Sequence, residues 1–143
     1  MKLEQLYRQV VLERSRRPRF QGELPGVTHR EGGYNASCGD RLALQLRVEA
    51  GRVEDVRFVA QGCAVSVASA DLLAETVRGK TVAEALALEQ AFTHMIRSGE
   101  VSPDLGAAAA LRGVHDLPTR VKCATLAWQA LRAALTPTEK PPA

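Results

Sequence analysis

Three cysteines, each in a short distinctive frame, are the residues best able to do chemistry in this chain of 143. Cys38 lies in Asn35-Ala36-Ser37-Cys38-Gly39-Asp40, Cys63 in Gln61-Gly62-Cys63-Ala64, and Cys123 in Arg120-Val121-Lys122-Cys123-Ala124. An odd number of cysteines cannot pair off completely as disulfides, so metal binding or a reactive thiol is the better reading. Asp40, two residues after Cys38, puts a carboxylate in the same turn. Three thiolates and one carboxylate would complete a tetrahedral site for a divalent metal. Taken singly, a buried cysteine is usually just a small apolar side chain, and that plain reading applies to Cys63 and Cys123. It does not suit Cys38, whose neighbours Asn35, Ser37, Gly39 and Asp40 are not core residues.

For these residues to act together, the elements carrying them must converge. Residues 2–14 read as an amphipathic helix, with Leu3, Leu6, Tyr7, Val10 and Val11 at helical spacing, ended by the Arg-rich stretch and Pro18. A loop with Gly22, Pro25 and Gly26 leads to a strand near 27–34, interrupted by Gly32-Gly33. Residues 41–48 alternate Leu42, Leu44, Leu46 and Val48 with Arg41, Ala43, Gln45 and Arg47, which predicts a strand with one apolar and one wet face. Residues 49–52 supply a turn, and 53–60 return as an antiparallel partner facing Val56, Phe58 and Ala60 inward. Val53 is out of phase with Val56, which calls for a bulge.

Beyond Gly62 the pattern is helical. A helix over 63–78 is closed by Gly79, and Thr81-Val82-Ala83-Glu84 is a capping box opening a second helix toward Arg97. Ser102-Pro103 starts a shorter helix through Leu111. Asp116-Leu117-Pro118 opens the last long helix, which carries Cys123 and ends near Leu135. The expected fold is α+β: a small antiparallel sheet, made of a hairpin plus an edge strand, packed against several helices in a single domain over 1–135. The tail, 136–143, has three prolines and reads as disordered. On this outline Cys38 precedes one hairpin strand and Cys63 follows the other, so antiparallel pairing draws them together. Only Cys123 must arrive by tertiary packing.

Composition narrows the function classes. With 45% hydrophobic and 24% charged residues, the chain has the make-up of an ordinary globular domain. Charged residues interrupt every apolar stretch too early for a transmembrane span. The N-terminal residues, with Glu4 among them, do not have the form of a secretory signal, so the cytoplasm is the expected compartment. The net charge of +3 is spread along the chain apart from residues 14–19, and 4% aromatics cannot build stacking platforms for nucleic acid. The cluster at 14–19 reads as a solvated linker or a docking patch for an acidic protein partner.

At this point the frames resemble those of a known family, the SufU/IscU sulfur-transfer and iron–sulfur scaffold proteins (NifU N-terminal-like). Cys-Gly-Asp at 38–40, Gly-Cys at 62–63 and Lys-Cys-Ala-Thr-Leu-Ala-Trp at 122–128 are similar to its three cysteine blocks. Residues 6–10 look like its N-terminal helix, and 114–118 like the approach to its last block. Where the scaffold branch has histidine directly before the third cysteine, this chain has Lys122, and it has an added stretch around 97–111. Both features resemble the SufU branch. One departure is Ala36-Ser37, where the family often has a proline before the first cysteine.

The resemblance implies a zinc ion held by Cys38, Asp40, Cys63 and Cys123. It also implies a sulfurtransferase-type relay protein that takes persulfide sulfur from a cysteine desulfurase and passes it to downstream iron–sulfur assembly proteins. Cys38, on a glycine-containing loop, is the expected acceptor, and Arg120 the cation that stabilises a persulfide or, alternatively, makes a surface ion pair. A scaffold building a [2Fe–2S] cluster on the same residues is the alternative, since thiolates serve iron as well as zinc. A purely structural zinc in a docking domain is a third reading, which Asp40 argues against because structural sites are usually made of Cys and His. Of the histidines, His94 is expected in core packing or a satisfied hydrogen bond, and His115 could approach the site. His29 carries no signal.

Overall fold

The computed structural model describes residues 2–136. Helix α1 (Leu3–Arg16) leads into strands β1 (His29–Asn35), β2 (Asp40–Glu49) and β3 (Arg52–Gln61). Helices α2 (Ala64–Val77) and α3 (Val82–Ser98), a long 3₁₀ segment (Pro103–Asp116), a 3₁₀ turn (Pro118–Arg120) and α4 (Val121–Leu135) follow. The three strands form one antiparallel sheet in the order β1-β2-β3, packed against the helices, so the fold is α+β as expected. The prolines of the tail, placed by sequence at 136–143, lie outside the described residues.

The alternation in β2 works as read: Leu42, Leu44 and Leu46 are buried against the helices together with Val56 and Phe58 of β3. The bulge falls where Val53 required it. Arg47 pairs with Asp55 but Val48 pairs with Val53, so Glu54 is the extra residue. The wet face needs a correction at Gln45, which is buried. The loop after α1 folds over it, and Gln45 is satisfied by donating to the Gly22 carbonyl at 3.2 Å and accepting from the Leu24 N–H at 3.0 Å. That loop also pairs along the outer edge of β3, through Phe58 N–H to Phe20 O (3.1 Å) and Gly22 N–H to Phe58 O (2.8 Å).

Glycines explain why β1 forms despite Gly32-Gly33. A Cβ on Gly33 would stand 2.9 Å from Leu126 Cδ1, so its absence lets α4 lie directly on the strand. The capping box at Thr81 and Glu84 is present in both directions, at 3.1 and 3.0 Å. The segment after Ser102 differs from the short helix expected through Leu111. It runs on to Asp116 as 3₁₀ turns broken at Gly106, whose backbone (φ 55, ψ −129) is not helical. The last helix likewise begins at Val121, after a 3₁₀ turn at Pro118.

The arginine stretch is not a simple solvated linker. Arg14 is buried and donates to Asp71 (2.9 Å) and Glu75 (2.6 Å) of α2. Arg19 pairs with Glu13 and Glu75 at the surface, while Arg16 and Arg17 are exposed. Alternating hydrophobicity cannot reveal this, because the partners of Arg14 are 57 and 61 residues away.

Candidate metal centre

The turn joining β1 to β2 builds one side of the centre. Asn35 and Asp40 are paired across the strands, and residues 36–39 close the loop between them with Gly39 in the left-handed region at φ 69. Cys38 sits half-buried on this turn and Asp40 is fully buried beneath it. The β3–α2 junction builds the second side. Cys63 is the N-cap residue of α2 in extended conformation, with its thiol half-buried. The third side is the first turn of α4, where Cys123 is buried.

Helix α2 fixes that first turn of α4. Ser66 Oγ donates to the carbonyl of Cys123 at 3.3 Å, and Ser69 Oγ to that of Ala124 at 2.5 Å. Trp128 donates its indole N–H to Ser69 at 3.1 Å and stacks on Phe92, ring centroids 4.2 Å apart. Cys123 is thereby set by packed aromatics rather than by its own loop.

The ligand atoms of Cys38, Asp40 and Cys123 all lie within 4.8 Å of one another, the one such group among the described residues. Cys123 Sγ is 3.2 Å from Cys38 Sγ. Cys63 stands at the rim, outside that grouping, with its Sγ 3.9 Å from Ser66 Oγ. Its backbone N–H nevertheless joins the cluster, donating to Asp40 Oδ1 at 2.8 Å. His115 does not approach, since its Nδ1 is engaged with the Ile96 carbonyl at 2.9 Å. His94 is on the surface against Glu100 at 3.2 Å, a hydrogen bond but not core packing.

The electrostatics follow from burial and hydrogen bonding. Burial alone would raise the Asp40 carboxyl, but hydrogen bonds from the Cys63 N–H, Ser66, Cys123 and Asn35 outweigh it and hold it below the usual carboxylate range. Burial, then Cys38, Asp40 and Cys63, pushes the Cys123 thiol far up. Arg120, exposed at the mouth of the site, holds its proton more tightly because of Cys63 first and then Cys123 and Cys38. Two thiols and a buried carboxylate this close, with the Cys63 thiol at the rim, would repel one another as anions without positive charge among them. The Cys38, Asp40 and Cys123 donor set therefore fits a divalent metal ion.

Two residues beside the site, Gly62 and Tyr7, are marked in the sequence only as part of a cysteine block and of a helix, not for what they do there. Gly62 is there because a Cβ would come within 2.3 Å of Asp40 Oδ1. Tyr7 of α1 lines a groove of about 330 Å³ with Arg8, Cys63 and Arg120. Its hydroxyl is pushed up by burial, a shift that Arg120 opposes and Cys63 and Cys123 reinforce. Gly62 is marked by its place in the Gly-Cys block, and Tyr7 by helical spacing and the resemblance over residues 6–10.

Residues 6–140 match the family model described as NifU-like N terminal domain. The chain belongs to that family. It is 40% identical over 136 residues to the iron–sulfur cluster assembly scaffold protein IscU of Streptococcus pyogenes, covering 94% of this chain and 85% of that one. It is 37% identical over 139 residues to the zinc-dependent sulfurtransferase SufU of Bacillus subtilis, covering 96% and 94%. Among solved structures, a putative iron–sulfur cluster assembly scaffold protein for the SUF system from Fervidobacterium islandicum superimposes with a TM-score of 0.86 at 31% identity. That match covers 93% of this chain and 98% of the other. No helix among the described residues is long and apolar enough to cross a membrane.

Proposed function

We propose that this chain is a sulfur-relay protein of iron–sulfur cluster assembly, working in the cytoplasm where thiols stay reduced. It would hold zinc through Cys38, Asp40, Cys63 and Cys123 and accept sulfur on Cys38. The observation that carries the reading is the convergence of Cys38, Asp40 and Cys123 from the β1–β2 turn and α4, with Cys38 on the solvent side. When bound, zinc would keep the thiols ionised at neutral pH and lower the cost of their mutual repulsion.

The chain's own residues divide the remaining tasks. Cys38 is half-exposed on a tight turn, so its thiolate can attack the terminal sulfur of a persulfide on a cysteine desulfurase. The Cys38 Sγ–sulfur bond forms, the donor S–S bond breaks, and its electron pair leaves with the donor thiolate. The proton travels with the transferred sulfur or is lost to water. Cys123, buried and pinned through α2, holds rather than reacts. Arg120 at the mouth offers a cation to the anionic persulfide. Downstream assembly proteins would then receive the sulfur by the same exchange.

The deciding experiment measures metal content and visible absorbance of protein purified without oxygen. About one zinc per chain with no visible bands is expected. Iron with inorganic sulfide and visible absorbance would instead make the chain a [2Fe–2S] scaffold. The Cys38→Ser variant is expected to remain folded and to take no sulfur from desulfurase persulfide. Undiminished acceptance by that variant would remove Cys38 from its role.

A further inference from the structure

We infer that Asn35 is a positioning residue for the metal centre: its buried amide fixes Asp40 and Cys123 relative to each other. This inference rests on the metal-binding reading above. Asn35 is 6% exposed, with its side chain turned inward from the last residue of β1. Its Nδ2 donates to Asp40 Oδ2 at 3.1 Å and lies 3.6 Å from Cys123 Sγ. One amide group thus spans two proposed ligands from segments 83 residues apart in the chain, on β2 and α4 (numbers 40 and 123).

The geometry around Asp40 shows why this contact matters. Oδ1 is held by the Cys63 N–H at 2.8 Å, in space that a Cβ on Gly62 would occupy. Oδ2 is held by Asn35. A carboxylate gripped at both oxygens cannot rotate, so its remaining lone pairs are aimed before a metal arrives. Without Asn35, Oδ2 loses its amide donor and the Nδ2 contact to Cys123 is lost with it. Outer groups of this kind commonly change metal affinity about 10–100-fold when removed. Among the described residues, neither Cys38 nor Cys63 receives a comparable side-chain amide, so Asn35 acts on Asp40 and Cys123 selectively.

The test compares wild type, Asn35→Ala, Asp40→Ala and the double variant, with Asn35→Ser as a milder replacement should alanine prevent folding. Two quantities are read besides thermal stability: the absorption spectrum of the cobalt(II)-loaded protein, and the rate of zinc release to a chelator. Asn35→Ala is expected to change the cobalt ligand-field bands and to speed zinc release about ten-fold. In the Asp40→Ala background the same substitution is expected to add only a small further increase. An unchanged spectrum and release rate in a folded Asn35 variant would overturn the inference. So would an effect equally large with and without Asp40, because Asn35 would then not act by fixing Asp40 relative to Cys123. If wild type takes up neither cobalt nor zinc, the metal-binding reading itself falls and takes this inference with it.

Discussion

At the scale of single residues, the centre depends on small side chains as much as on sulfur. Two glycines flank its acid for different reasons. Gly39 is needed for its backbone, since φ 69 costs an L-residue about 1–2 kcal/mol, yet a Cβ there would meet nothing within 4 Å. Gly62 is needed for its missing volume, because a Cβ would occupy the place of Asp40 Oδ1. Gly39→Ala should therefore lower stability by about 1–2 kcal/mol in urea unfolding, through strain alone. Gly62→Ala should cost about 1–3 kcal/mol by overpacking and, in addition, weaken zinc binding at least about ten-fold as Asp40 is displaced. Zinc affinity at the wild-type level in a folded Gly62→Ala protein would show that Asp40 is dispensable as a ligand.

At the scale of elements, the junction between α1 and α2 is secured by buried charge. Arg14 reaches Asp71 and Glu75, and Asp71 Oδ1 also accepts the backbone N–H groups of Arg19 and Phe20 at 2.7 and 2.8 Å. One carboxylate thus ties α1, the following loop and α2 together, and α2 in turn carries Cys63 at its N-cap. Breaking such a buried network from one side costs about 3–5 kcal/mol, because the charge that remains loses its closest buried counter-charge. Asp71→Ala is expected to lose stability at or above this range, and more than Arg14→Met, because it also orphans two N–H groups. Equal losses for the two variants in denaturant unfolding would mean that the backbone contacts contribute little.

At the scale of the whole molecule, the proposed ligands join distant parts of the chain: the β1–β2 turn, the start of α2 and the start of α4. Cys38 and Cys123 are 85 residues apart in sequence and in contact in space. An ion bound across such a gap exists only in the folded state, so binding is linked directly to folding. Free zinc at about one hundred times its dissociation constant should add about 2.7 kcal/mol to unfolding free energy, visible as a rise in melting temperature that a chelator reverses. Cys123→Ser should abolish most of this rise. A melting temperature indifferent to zinc and chelator would argue that the centre does not bind the ion in the native state.

Much of this protein is legible in its sequence because short-range rules fix short-range structure. Alternation across residues 42–46 places the apolar face of β2, the phase slip at Val53 places the bulge, and Thr81 with Glu84 starts α3. The three cysteine frames likewise mark the proposed ligands, since the neighbours of Cys38 are not core residues. The rest was decided by tertiary contact. Gln45 lies on the face that alternation marks as wet, and is buried because a loop two dozen residues away folds over it. Arg14 reads as part of a solvated run and is buried because α2 offers two carboxylates. Asn35 and Gly62 stand in the cysteine frames, but what they do emerges only when α4 and β2 close on them. Periodicity and capping encode dihedral angles and an apolar side, whereas the burial and partnering of a polar group depend on which distant segment covers it.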